Sequence, residues 1–166
     1  MKQRPIIKLE LTTTDKAIEL LSWISIMAIW LLTIISYTNL PDIIPTHYNA
    51  EGDADGFGGK RMILIEPFIA TVIFFGMTIL NKFPHTYNYL TEITTENALK
   101  HYTDATRLIR YLKLNIVIVF GLILLQTIRH ANGQADGLGV WFTPMTIALL
   151  FIPIAYYLIK SSQAKK

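Results

Sequence analysis

Apolar side chains fill four long stretches of the chain and leave few polar positions between their ends. The stretches run over residues 17–39, 62–80, 111–128 and 142–159. Each is close to the roughly 20 residues that a helix needs to cross the hydrocarbon core of a bilayer, and each is apolar all round, as a lipid-facing helix is. The pattern predicts an all-α membrane protein whose single domain, 1–166, contains four transmembrane helices.

The composition agrees with this interpretation. Hydrophobic residues make up 52% of the 166 residues and charged residues 16%, and the mean hydropathy is +0.39. A soluble domain carries about 25% charged residues, so much of this surface must meet the lipid bilayer rather than water. The chain has no cysteine, which excludes disulfides, thiolate metal sites and thiol catalysis.

Lysine and arginine are distributed unevenly between the two sides of the predicted bundle. Twelve of them lie in the two tails and the middle segment, whereas three lie in the other two loops. Because basic residues collect on the cytoplasmic side, we expect both termini on the cytoplasmic side of a cell membrane. The loops 40–61 and 129–141 should then lie on its outer side. Basic residues dispersed this close to a bilayer disfavour nucleic acid as a partner. The twelve are Lys2, Arg4, Lys8, Lys16, Lys82, Lys100, Arg107, Arg110, Lys113, Lys160, Lys165 and Lys166.

The cytoplasmic loop 81–110 contains a further helical pattern. Thr94 can cap a helix, and Glu96 would lie in its first turn, where the helix dipole favours an acid. An apolar stripe with spacings of 4, 3, 4 and 3 begins at Ala98, so the helix should run into the third span without a break. Its basic side chains would meet lipid headgroups or, alternatively, a cytoplasmic regulator. The residues expected on or near its polar side are His101, Arg107 and Arg110.

The outer loop 40–61 differs from the rest of the chain. Residues 40–60 hold two prolines, four glycines, four acids and one histidine, mixed with isoleucine, tyrosine and phenylalanine. Such a mixture favours an ordered loop over a flexible linker. Ligand contact or loop architecture is expected to depend on Pro45, His47, Asn49, Gly52, Asp55, Gly56, Gly59 and Lys60.

The same loop offers candidate ligands for a divalent metal ion. His47, Asp53 and Asp55 carry the imidazole and carboxylate groups that calcium or zinc could use. The alternating acids imitate the start of a calcium-binding loop, but the acid that should close such a loop would fall on Met62. The alternative is that glycine-containing turns shape the loop and His47 bonds to backbone carbonyls.

The two outer loops share a short motif. The chain reads GDADGFG at 52–58 and GQADGLG at 133–139, which are identical at five of seven positions and 81 residues apart. Each copy precedes an even-numbered span, which indicates two helix–loop–helix hairpins in the same orientation. The loops would then pair across a pseudo-twofold axis. The competing interpretation is that glycine-rich turns have converged.

Glu66 opens the second span, and a carboxylate there needs a partner or a route to water. We expect it to reach toward Lys60 or Arg61 along the membrane boundary. Alternatively, it belongs to a site that faces the outer loop. The other candidate members of that site are His47, His130 and Asp136.

One set of short runs stands out: Leu40-Pro41-Asp42, Pro45-Thr46-His47-Tyr48-Asn49, Gly52, Asp55-Gly56, Gly59-Lys60 and the cytoplasmic Thr94-Thr95-Glu96-Asn97-Ala98. Over roughly residues 17–128 the chain resembles the bacterial and archaeal membrane proteins called DUF1648, a domain that also forms the front part of SdpI-type immunity proteins. Most such proteins have no assigned activity. The SdpI-type members protect a producing cell from a secreted peptide toxin and signal through a sequestered regulator. We expect this shorter chain to lack their additional carboxyl-terminal membrane domain.

Three classes of function are compatible with these features. The first is a small membrane protein that binds an extracellular ligand or peptide through its outer loop, as an immunity or signalling protein would, alone or as an oligomer. The second is a transporter subunit, although a transporter needs broken helices and polar groups at mid-membrane, and the sequence offers Pro153 and little else. The third is a metal-dependent membrane enzyme built on His47, Glu66 and Asp136, which we favour least because the resemblance supplies no catalytic residue.

Overall fold

The computed structural model describes residues 4–163, and four long helices account for most of them. All four are long and apolar enough to cross a membrane, so the predicted four-helix fold is confirmed. The predicted contributions of Lys2, Lys165 and Lys166 to orientation lie outside the described residues. The helices are α1 (Thr13–Tyr37), α2 (Ile65–Leu80), α3 (Ala98–Ala131) and α4 (Phe142–Gln163), with a short 3₁₀ helix (Lys60–Leu64) leading into α2.

The first helix begins four residues before the predicted span because Thr12 and Asp15 cap it. The Thr12 hydroxyl accepts a hydrogen bond from the Asp15 backbone N–H, and the Asp15 carboxylate accepts one from the Thr12 backbone N–H. This reciprocal arrangement satisfies N–H groups that would otherwise lack partners at the helix start. The cap therefore adds a polar turn to the apolar stretch.

The third helix runs without a break to Ala131, as predicted, but the prediction that it starts at Thr94 was wrong. It begins at Ala98, after Asn97. The Asn97 side chain accepts a hydrogen bond from the Thr94 backbone N–H at 2.9 Å and donates one to the Glu92 carbonyl at 3.0 Å. These bonds stabilise a turn over 94–97, and an asparagine side chain that bonds to nearby backbone competes with helix formation.

The bundle is organised around α3, which packs on α1, α2 and α4. Buried apolar side chains of the first three helices form the main core. Many large apolar side chains on the outside remain exposed, which suits helices surrounded by lipid rather than water. The central core residues include Ile26, Ile29, Phe74, Val117 and Leu124.

Pro153 lies inside α4, where it cannot donate the hydrogen bond that a helix needs at that position. The acceptor left free by a proline is the carbonyl four residues earlier, which here belongs to Leu149. The Asn115 side chain on α3 donates to that carbonyl at 2.6 Å. A neighbouring helix thus supplies the missing donor, as is common for prolines in membrane helices.

The loop 40–61 forms an antiparallel β-hairpin, a feature that the all-helical prediction did not contain. Strand β1 (Ile43–Tyr48) pairs with β2 (Ala54–Gly59), and the register shifts on both sides of His47. Asn49 closes the turn, because its backbone N–H donates to the Asp53 carbonyl and its side chain accepts from the Asp53 N–H, each at 2.9 Å. Buried Ile44 anchors the hairpin in the core of the bundle.

The two ends of the bundle are distinct. We call the end that carries the hairpin and residues 132–141 the hairpin end, and the end that carries residues 4–12 and 81–97 the basic end. At the basic end, the segment 4–11 lies across the loop before α3. The Tyr102 hydroxyl donates to the Pro5 carbonyl, and the Arg4 guanidinium donates to two carbonyls of that loop. Both described ends of the chain therefore lie at the basic end.

Candidate functional site

The most prominent polar feature of the hairpin end is an exposed pair formed by His47 and Asp55. The His47 Nδ1 lies 2.5 Å from an Asp55 carboxylate oxygen, and the side chains are 71% and 45% exposed. The alternative prediction that His47 bonds to backbone carbonyls was therefore wrong. Because β1 and β2 hold the two residues on one face of the hairpin, the pair presents an imidazole and a carboxylate to the surroundings.

The metal candidates do not gather into one site. His47 and Asp55 meet, but within residues 4–163 no group of three or more histidine, cysteine, aspartate or glutamate side chains is placed to hold a metal ion. Asp53 therefore does not complete a three-ligand set with them. A structural zinc site takes four ligands, and calcium takes six to eight oxygens. Two exposed ligands alone make a weak site.

Among the predicted glycines of strand β2, Gly56 has a clear role in the hairpin and Gly59 does not. A Cβ atom at Gly56 would lie 2.9 Å from the Cβ of His47, so Gly56 allows the strands to approach beneath the histidine. A Cβ atom at Gly59 would lie 4.0 Å from its nearest neighbour, the Asp42 carbonyl oxygen, so this position is not crowded. Pro45 is buried in β1 opposite Phe57. Gly58, which the sequence reasoning missed, is the more crowded position, because its Cβ would meet the Met62 sulfur at 2.5 Å.

The repeated motifs bring the loops 40–61 and 129–141 into contact. The Leu138 backbone N–H donates to the Gly52 carbonyl at 2.7 Å, and Asp53 and Gly137 form an isolated antiparallel bridge. Gly52 has a φ of +90°, and a Cβ there would lie 2.7 Å from the Gly139 carbonyl oxygen. Glycine is needed at this contact because a side chain would both strain the backbone and displace the second loop.

The contact between the loops is not symmetric. Gly52, the first residue of one motif, meets Gly137 and Gly139, the fifth and seventh residues of the other. A Cβ at Gly133, the first residue of the second motif, would meet nothing within 4 Å. The first motif also contributes a β-strand, while the second forms turns. The expectation that the loops pair across a pseudo-twofold axis was therefore wrong, although the loops do meet. Asp136 is exposed in the second loop.

Glu66 does not reach toward Lys60 or Arg61 as predicted. Among the described residues, Lys60 forms its ion pair with Asp42 at 3.1 Å, and one carboxylate oxygen of Glu66 is buried without a hydrogen-bond partner. The reason is the 3₁₀ helix Lys60–Leu64, which carries both basic residues in a turn of its own before α2 begins. Glu66 therefore belongs to the interior of the hairpin end.

Tyr48 connects the hairpin to that interior. Its hydroxyl lies 3.0 Å from the hydroxyl of buried Thr127 on α3. Burial raises the pKa of Tyr48 above its usual value, the bond to Thr127 opposes this shift, and the Glu66 carboxylate adds to it. The proposed four-residue convergence is not observed, because no three of His47, Glu66, His130 and Asp136 form a ligand group among the described residues.

The basic end contains a buried charge network that the sequence reasoning missed. Lys113 is fully buried, and its ammonium donates to Glu19 at 2.6 Å and to Thr78 at 3.0 Å. It also lies 4.7 Å from the centre of the Phe74 ring. The same glutamate lies beside a second cation, because the Arg110 Nε is 3.2 Å from its other oxygen, within ion-pair distance although the Nε makes no hydrogen bond. One carboxylate thus holds two cations and joins α1 to α3.

A second ion pair extends this network along the same two helices. The Arg107 guanidinium donates to the carboxylate of buried Asp15 at 2.8 and 3.1 Å. The prediction that His101, Arg107 and Arg110 lie on a polar helix surface was wrong, since His101 and Arg110 are buried and Arg107 faces α1. A signal was present in the sequence, because acids at 15 and 19 share one helix face, as do bases at 107, 110 and 113.

The hairpin lies in a stretch of the chain that is similar to a domain family. Residues 24–71 match the family model DUF1648, a domain of unknown function. The predicted resemblance to DUF1648 is confirmed over this stretch, whereas its predicted extent to residue 128, which includes the run 94–98, and the relation to SdpI-type proteins stay predictions. The match takes in most of α1, all of the hairpin and the start of α2.

One relative is also a protein without an assigned role. An uncharacterized protein of Archaeoglobus fulgidus is 34% identical over 86 residues, which are 47% of this chain and 47% of the relative. The chain therefore matches about half the length of that protein. No solved structure matches the chain. The DUF1648 match and the structure together direct attention to the hairpin, since it is the part of the matched region that lies outside the long apolar helices.

Proposed function

We propose that this protein is a multi-pass cell-membrane protein with both termini in the cytoplasm, and that its DUF1648 hairpin binds a secreted peptide on the outer side. The observation that carries the proposal is an ordered hairpin with a free strand edge. Along 54–59, β2 pairs with β1 and with no other strand of the described chain. An open edge is a template on which an extended peptide can add a strand through backbone hydrogen bonds.

The composition of β2 favours such pairing. Native proteins often block an open edge with lysine or proline, and β2 carries neither. Its three glycines leave the backbone accessible. Phe57, which is 58% exposed, supplies an aromatic surface beside the edge, and the His47–Asp55 pair supplies an imidazole and a carboxylate. Backbone pairing would give affinity, and these side chains would give specificity.

The hairpin is also held firmly enough to act as a binding platform. Ile44 is buried in the bundle core, Tyr48 bonds to Thr127 inside it, and the Thr143 hydroxyl of α4 donates to the Ala50 carbonyl at 2.8 Å. A site that is already ordered loses less conformational freedom when it binds its ligand. The hairpin therefore differs from a flexible loop that would have to fold on binding.

The resemblance to SdpI-type immunity proteins suggests the class of peptide. Those proteins act against a secreted peptide toxin, so a toxin or signalling peptide is the ligand we propose here. By the same resemblance, a cytoplasmic regulator would be the partner at the basic end. The class of peptide and the cytoplasmic regulator are both inferred from the resemblance and not from the geometry of the hairpin.

Orientation is tested first, and the cysteine-free chain makes the test direct. Single cysteines are introduced as Glu51→Cys in the hairpin turn and as Lys82→Cys at the basic end, both exposed positions. A maleimide that cannot cross membranes should label Glu51→Cys in intact cells and Lys82→Cys only after lysis. The opposite result would place the hairpin in the cytoplasm and remove a secreted peptide as its ligand.

Ligand binding is tested by photocrosslinking in the host cell. A photoreactive phenylalanine analogue replaces Phe57 or, as a matched control, the exposed Phe83 at the basic end. We expect a peptide adduct from position 57 and none of the same mass from position 83. Equal adducts at both positions, or none at position 57 in correctly inserted protein grown with its own secreted peptides, would contradict the proposal.

A further inference from the structure

A cleft of about 390 Å³ lies between α3 and α4 at the basic end. It exists because α4 packs mainly on α3 and leaves one side of that contact open. One wall of the cleft is apolar and is formed by Leu108, Ile152 and Pro153. Since both helices are long and apolar enough to cross the membrane, this wall lies where lipid chains would surround the bundle.

The rim of the cleft is polar and carries two cations, Arg107 and Lys160, and one acid, Asp104. Each cation is paired with an acid, Lys160 with Asp104 and Arg107 with Asp15. The Lys160 ammonium donates to Asp104 at 2.7 Å, which uses one of its three donors. Lys160 is 42% exposed and Asp104 is 18% exposed. The cation is therefore the more accessible member of the pair.

Arg107 has spare donors as well. Its Nε and one terminal nitrogen bond to Asp15, which is 3% exposed and lies behind the arginine on α1. The same terminal nitrogen also donates to the Thr12 hydroxyl at 3.1 Å, so the other terminal nitrogen carries the spare donors. The guanidinium carries five N–H donors in all, and Arg107 remains 29% exposed. Tyrosine side chains complete the rim, and such rings favour the boundary between water and lipid. They are Tyr111, Tyr156 and Tyr157.

We propose that this cleft binds one anionic phospholipid, with the headgroup phosphate at Lys160 and Arg107 and an acyl chain along Leu108, Ile152 and Pro153. Free phosphate would use the rim but gain nothing from the apolar wall. A zwitterionic lipid would use the wall, but it has no net negative charge to match these two cations, each of which is more exposed than the acid it pairs with. Basic pockets between membrane helices are known to suit anionic headgroups. This inference is independent of the ligand of the hairpin.

The test is native mass spectrometry of the full chain, released from detergent micelles that contain phosphatidylglycerol or phosphatidylcholine with identical acyl chains. Wild type should retain one phosphatidylglycerol and little phosphatidylcholine. Lys160→Gln should weaken retention about fivefold, which corresponds to about 1 kcal/mol per basic residue at an anionic surface. Lys100→Gln removes an exposed lysine at the same end, outside the cleft, and should have no effect.

A second variant separates the apolar wall from the charged rim. Ile152→Trp fills the wall and leaves every rim charge in place, so it should also reduce retention, while circular dichroism confirms that the helices remain folded. Excess glycerol phosphate should not displace the bound lipid. Equal retention of the two lipids, unchanged retention in Lys160→Gln or Ile152→Trp, or displacement by glycerol phosphate would each overturn the proposal.

Discussion

The hairpin end and the basic end use charge in opposite ways. At the hairpin end, the His47–Asp55 pair faces outward, and backbone bonds and glycine contacts determine the shape. At the basic end, Lys113 is fully buried against Glu19, and ion pairs join α1 to α3. The difference teaches where each end is vulnerable. Substitutions that remove a charge should be tolerated at the hairpin end and should destabilise the basic end. At the hairpin end, substitutions at the contact between Gly52 and Gly139 should be the damaging ones.

The largest effect should come from Glu19→Gln at the basic end. This change leaves two buried cations, Lys113 and Arg110, without their shared carboxylate. Loss of one partner from a buried ion pair costs about 3–5 kcal/mol of stability. Lys113→Met should cost less, because Arg110 still compensates Glu19. Thermal unfolding of the detergent-solubilised protein measures both.

A double variant serves as the control for that interpretation. Glu19→Gln with Lys113→Met removes one acid and one cation together, so it should be more stable than Glu19→Gln alone, as expected for interacting residues. If Glu19→Gln changed stability by less than about 1 kcal/mol, the range typical of an exposed pair, the network would not hold the helices together. The contrast between the two ends would then disappear.

The next largest effect should come from Gly52→Ala at the hairpin end. A methyl group would meet the Gly139 backbone at 2.7 Å, and the φ of +90° is unfavourable for alanine. Backbone strain and overpacking each cost about 1–3 kcal/mol, so we expect a loss of at least about 2 kcal/mol. Hydrogen exchange should also show lost protection of the Leu138 amide, which bonds to the Gly52 carbonyl.

Gly76→Ala provides the matched control. Gly76 lies within α2, and a Cβ there would meet nothing within 4 Å. Alanine favours helix over glycine by up to about 1 kcal/mol, so this variant should be as stable as wild type or slightly more stable. If both alanine variants unfolded at the wild-type temperature, the two loops would not depend on their close backbone contact.

The sequence predicted the spans well because span length follows from bilayer thickness, a constraint that acts on each helix separately. It did not predict the hairpin, because a glycine-rich segment such as 54–59 has little strand preference of its own and pairs once Ile44 and Tyr48 are anchored on the bundle. It also missed the pairing of Glu19 with Lys113. The spacing of the charges showed which residues share a helix face, but their partners depend on which faces α1 and α3 turn toward each other.

The smallest effect should come from Asp55→Asn, which removes the exposed pair with His47. Exposed ion pairs contribute about 0–1 kcal/mol, so unfolding should stay close to wild type. Asp53→Asn is the matched control, since it changes an exposed acid directly before β2. Zinc, calcium or a chelator should produce no shift, because two exposed ligands hold a metal weakly. A metal at 100 times its dissociation constant would instead add about 2.7 kcal/mol. Such a rise, lost in Asp55→Asn, would mean that charge also stabilises the hairpin end.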